Sequence, residues 1–158
     1  MRTKRMVGAG VVLVALGLCA ACGGGSSPAA PSGASGSGTQ GLAATWRATR
    51  AEFVNTANSS VKVEIVSRGA SLVLALDVAG GYTRTVTTPG DPPDVQTGTW
   101  SASRDVLTLR PSGVTFTIEF DYSMSGNTLA LSGGHVEFDF NDDNRFEEAI
   151  LTAAFARQ

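Results

Sequence analysis

Cysteine is almost absent: the 158 residues hold two, Cys19 and Cys22, both ahead of residue 23. Everything after them is therefore without disulfides or thiol chemistry. Histidine occurs once, as His135, so the folded part has no His and Cys set from which to build a zinc site. Charge is sparse at 16%, and no apolar run reaches the roughly 20 residues a membrane-spanning helix needs, which excludes a polytopic membrane protein. A Gly-X-Y period and sustained heptads are also missing, which excludes collagen and coiled coil. There is no basic surplus. The chain carries 12 Lys+Arg against 14 Asp+Glu, and Arg2, Lys4 and Arg5 lie in a segment expected to be removed, leaving nine against 14, or −5. Such a surface has no electrostatic reason to bind nucleic acid. What is present, 42% hydrophobic residues and 19 glycines, suits a single exported β domain with an uncharged tail.

The N-terminus reads as an address. Arg2, Lys4 and Arg5 form a basic stretch, and the 13 residues 6–18 are apolar, too short to span a bilayer and right for a signal peptide. The following Leu18-Cys19-Ala20-Ala21-Cys22-Gly23 resembles the lipobox of bacterial lipoproteins, although Cys19 stands where that motif usually has leucine. The resemblance implies cleavage of residues 1–21 and acylation of Cys22, with three palmitate-type chains if modification is complete. At about 0.8 kcal/mol per buried methylene, such an anchor is effectively permanent. It would place the domain in the bacterial cell envelope, membrane-anchored and outside the cytoplasm. The alternative is ordinary secretion with cleavage after an alanine. Residues 22–41 then read as the lipidated cysteine and its tether, since residues 23–41 contain seven Gly, five Ser, three Ala and two Pro with no charge and no aromatic. A coil of that length spans on the order of 25 Å.

Residues 42–158 alternate with period two. Val61, Val63 and Ile65 set one run, Leu72, Leu74 and Leu76 the next, then Tyr82, Arg84 and Val86. Leu107 and Leu109 follow, then Phe116, Ile118, Phe120 and Tyr122, then Leu129 and Leu131, then Val136, Phe138 and Phe140. This is the pattern of antiparallel strands with one buried face. Gly80-Gly81, Gly126-Asn127 and Gly133-Gly134 supply positive φ for hairpins, Ser103-Arg104-Asp105 a short polar turn, and Pro89 to Asp94 a longer loop. The expected fold is all-β: one antiparallel up-and-down barrel of about eight to ten strands, closed so that it has no exposed edge. The segment from Glu147 to Arg157 fits either a helix or a strand, and the strand is preferred because a meander needs a last strand to close on the first.

Two tryptophan strands, Leu42-Ala43-Ala44-Thr45-Trp46 and Thr97-Gly98-Thr99-Trp100, bracket a Gly80-Gly81-Tyr82 hairpin and are followed by Gly126-Asn127-Thr128-Leu129. In this order they resemble the small lipocalin-like domains of bacterial lipoproteins, over nearly all of residues 42–158, with Ala44 replacing a glycine in the first motif. The resemblance implies a ligand-binding barrel and names no ligand. It also implies that Trp46 is covered at the barrel end by Arg157, the alternative being a solvated Arg157 beside the C-terminus.

Candidate chemistry is thin. His135 at a hairpin end has no local serine and carboxylate to make a triad, so no catalytic residue is assigned and the protein is expected not to be an enzyme. Asp139, Asn141 and Asp143 have the one, three, five spacing of a calcium loop, but Asn144 stands in place of its glycine and Ile150 in place of its last acid, so an acidic turn is the competing reading and no cofactor is assigned. Trp46, Tyr82, Trp100, Phe116, Phe120, Tyr122 and Phe138 are expected on the inner face, filling the barrel or lining a pocket, with Arg84 in phase to meet an acidic head group or to reach the mouth. Two functions follow: a barrel that binds a small apolar or amphipathic ligand, or a filled barrel that serves as an envelope protein-interaction module. A contiguous apolar interior cavity of about 300 Å³ or more would favour the first, and a filled interior with an exposed apolar loop patch the second.

Overall fold

The computed structural model describes residues 41–158, so the lipobox, Cys22 and residues 23–40 of the tether lie outside the described residues. The described chain is all-β, and no helix long and apolar enough to cross a membrane occurs in it. Nine strands run in sequence: β1 (Thr45–Asn55), β2 (Lys62–Glu64), β3 (Ser71–Leu76), β4 (Gly81–Thr87), β5 (Asp94–Ser103), β6 (Val106–Pro111), β7 (Ile118–Ser125), β8 (Thr128–Phe138) and β9 (Glu147–Arg157). Each of β3 to β8 pairs antiparallel with the next, β1 pairs with β3, and β1 pairs with β9 to close an eight-stranded up-and-down barrel of lipocalin-like form. Residues 147–157 are thus a strand, as the need to close the meander requires.

The ninth strand, β2, lies beyond β3 along the same edge of β1. Between Glu64 opposite Glu52 and Val73 opposite Arg47, β1 advances five residues and its partner nine. The surplus forms a turn that begins at Ile65, so the run through Val61, Val63 and Ile65 is shorter as a strand than its alternation suggests. Glu64 fastens this detour. Its carboxylate accepts hydrogen bonds from the backbone N–H groups of Ala51 (2.9 Å), Val66 (3.1 Å) and Ser67 (2.7 Å). Burial alone would raise its pKa, but these donors outweigh burial and hold it at about 2, below the ordinary 4.5.

Two bulges keep the apolar face inward. In β1, Ala48 faces Phe155 and Arg50 faces Ala154, which leaves Thr49 as an extra residue and returns Ala51 and Phe53 to the core. In β8 the register shifts between Leu131 and Gly134, with Gly133 at φ 79°. Gly133-Gly134 is therefore not a hairpin: the runs on either side of it are one bulged strand. A Cβ at Gly134 would lie 2.0 Å from the Phe120 ring, so only glycine leaves room for that ring. The other expected turns are found, with Gly80, Gly126 and Arg104 in the left-handed region at φ 90°, 57° and 57°.

Phe116 departs from its expected place. It lies between β6 and β7 and is 56% exposed. Because Leu109 pairs with Ile118, continued pairing would put Phe116 opposite Pro111, which has no N–H to offer the ladder. The chain leaves the sheet there, and Phe116 goes with it.

Candidate functional site

The two ends of the barrel differ. One end gathers the start of β1, the β3–β4, β5–β6 and β7–β8 hairpins and the end of β9. Leu42, fully buried, plugs it, and three aromatic residues from three strands cap it. Each sends its polar group to a backbone carbonyl: Trp46 Nε1 donates to Leu42 O (2.8 Å), Trp100 Nε1 to Asp77 O (2.9 Å) and the Tyr122 hydroxyl to Arg104 O (2.9 Å). Arg157 lies over Trp46, its guanidinium carbon 5.1 Å from the ring centroid, and also donates to the Gly41 carbonyl. The indoles and the phenol thus bury their apolar bodies while their donors remain satisfied. Of the aromatics expected around a pocket, Trp46, Trp100 and Tyr122 seal this end.

The middle is filled. Side chains around a ligand-sized lumen would touch water, yet Ala51 and Leu107 are 0% exposed, Leu74, Leu131 and Ala153 are 3%, and Phe120 is 4%. Two depressions of about 430 and 400 Å³ lie on the outer wall. The first lies between Arg50, Ser132 and Thr152, where the two bulges flank β9, and the second beside Thr45, Ala75 and Thr83.

The opposite end is open. Here Phe53 stacks on Phe138 (centroids 4.2 Å, 23°), and Phe138 meets Phe140 edge-on (5.0 Å, 71°). Tyr82, Arg84 and Val86 share the inner face of β4, as their phase requires, and run toward this end. The Tyr82 hydroxyl donates to Gln96 Oε1 (3.1 Å), and burial pushes its pKa up while the nearby Arg84 cation pulls the other way. Arg84 Nη2 reaches Asp94 Oδ2 at the rim (2.5 Å), with its side chain 29% exposed, while its buried Nε has no hydrogen-bond partner. Gln96 and Asp94 escaped the sequence reading because only the β4–β5 register, Arg84 opposite Gln96 and Val86 opposite Asp94, brings them there.

Apolar side chains crowd the rim. Of the seven large hydrophobic side chains exposed among the described residues, Val61, Val95, Val114, Phe116 and Phe146 belong to connections or strand starts at the open end, while Val78 and Met124 lie at the sealed end. The acidic β8–β9 connection lies beside them. Asp139 accepts from the N–H groups of Asn141, Asp143 and Asn144, and Asp143 from that of Arg145 (2.8 Å), so these carboxylates organise the turn, with Asp142 and Asn144 at positive φ. Among the described residues no group of three or more His, Cys, Asp or Glu is arranged to hold a metal ion. His135 lies far from any such role on the outer wall, its Nδ1 3.0 Å from Glu148 Oε1 and both side chains more than 60% exposed. Compared with known proteins, the chain matches no family model, no curated protein and no solved structure.

Proposed function

We propose that the chain is a non-catalytic binding module of the bacterial cell envelope, lipid-anchored through Cys22, that engages a protein partner with the open end of a solid barrel. The observation that carries this reading is the filled interior: at 0 to 4% exposure the mid-barrel side chains leave no lumen for a ligand, while five of the seven large apolar side chains exposed among the described residues lie at one end. Gly41, the first described residue, lies at the sealed end, where its carbonyl accepts from Arg157. A photo-crosslinking residue placed at Phe116 and, separately, at Thr152 on the outer wall tests the assignment in intact envelopes. Adducts from position 116 alone are expected; adducts from position 152 alone, or from neither position, would overturn it.

A second reading has one specific observation behind it. The unpartnered Arg84 Nε, beside Tyr82 and Gln96, is a group to which an acidic head of an amphipathic ligand could bind at the open end. Binding of a fatty acid by the native chain, lost in Arg84→Met, would favour this reading over a protein partner.

A further inference from the structure

The rim that this reading assigns to a partner also carries a charge pattern that selects the partner's chemistry. The β4–β5 and β8–β9 connections, with the first two residues of β9, hold Asp91, Asp139, Asp142, Asp143, Glu147 and Glu148, against Arg145 as the one cation in these segments. Elsewhere at this end Lys62 begins β2 and Arg68 lies in the β2–β3 turn beside the β4–β5 connection, while Arg84 on the inner wall is paired with Asp94, so the acidic residues outnumber the cations there. Set among these carboxylates, Phe146 is 66% exposed, and Phe116 at 56% and Val114 at 46% rise from the β6–β7 connection at the same end. An occupant must bury aromatic and aliphatic surface and meet a negative border at once.

Three occupants fail that requirement. The chain's own tether, residues 23–41, has neither a cation nor an aromatic residue. A second copy meeting rim to rim would bring like charges together, which costs rather than stabilises. An anionic lipid surface is repelled for the same reason. We therefore infer that the open end binds a cationic amphipathic polypeptide segment, whose apolar side chains cover Phe116 and Phe146 while its Lys and Arg residues meet the acidic connections. This rests on the open-end reading above and adds the chemistry of the partner.

The test titrates the full chain with fluorescent amphipathic Lys/Leu and Glu/Leu peptides of equal length and with phosphatidylglycerol vesicles. The Lys/Leu peptide should bind, weaken as salt is raised, and lose on the order of tenfold in affinity to the Phe116→Ser, Phe146→Ser double variant, in line with loss of two apolar anchors. Both phenylalanines are exposed, so that variant keeps its fold, which its unchanged unfolding midpoint will verify. Equal binding of both peptides, preference for the Glu/Leu peptide or the vesicles, or unchanged affinity in the double variant would overturn the inference. If the Lys/Leu peptide fails to bind while position 116 still crosslinks in the envelope, the partner chemistry is wrong and the open-end reading stands. Loss of both signals removes both.

Discussion

Arg157 is the last residue of β9, yet it is held twice, over the Trp46 ring at 5.1 Å and on the Gly41 carbonyl. A cation over a partly desolvated indole contributes about 1 kcal/mol. Arg157→Ala should therefore lower the unfolding free energy by about that amount in urea denaturation, whereas Trp46→Ala, which empties a fully buried site, should cost about 3 to 5 kcal/mol. Glu64 gives a pH-dependent counterpart. Its folded pKa, about 2, lies below the unfolded 4.5, so its contribution is fully present above pH 4.5 and is lost as pH falls through about 2. Glu64→Gln should accordingly destabilise the chain at neutral pH, and the gap to the parent should narrow in acid unfolding curves between pH 4.5 and 2. A gap that does not change with pH would mean that the charge on Glu64 is not what fastens the β2–β3 detour.

At the scale of elements, bulges decide where side chains go. The β8 bulge brings Gly134 against the Phe120 ring, where a Cβ would sit 2.0 Å from it. Gly134→Ala should therefore cost about 1 to 3 kcal/mol by overpacking, and a Phe120→Leu change should recover part of it; a neutral Gly134→Ala in thermal unfolding would contradict this packing. The same bulge shows what the sequence could and could not reveal. Gly80-Gly81 and Gly126-Asn127 are legible as hairpins because a tight turn is a local property of φ. Gly133 has the same local signature, but pairing with β9 continues on both sides of it, and pairing is set by residues far along the chain. Phe116 keeps perfect alternation with Ile118 and still leaves the sheet, because its would-be partner is Pro111. The Trp46 and Arg157 juxtaposition could be read from residue type and strand phase, while the Arg84, Gln96 and Asp94 grouping needed the β4–β5 register.

At the scale of the whole molecule, Trp46, Trp100 and Tyr122 lie at the sealed end and Phe53, Phe138 and Phe140 at the open one, and buried aliphatic side chains with Phe120 pack between them. The proposed anchor is tested separately: Cys22→Ser should move the chain from the membrane fraction to the soluble or culture fraction, and unchanged detergent partitioning would remove the lipoprotein assignment. The same variant, free of acyl chains of its own, allows the most direct test of the solid barrel. Native mass spectrometry of Cys22→Ser purified from the soluble or culture fraction of its native host should return the mass of the polypeptide alone; a stoichiometric apolar adduct held through purification would contradict the filled interior of the barrel.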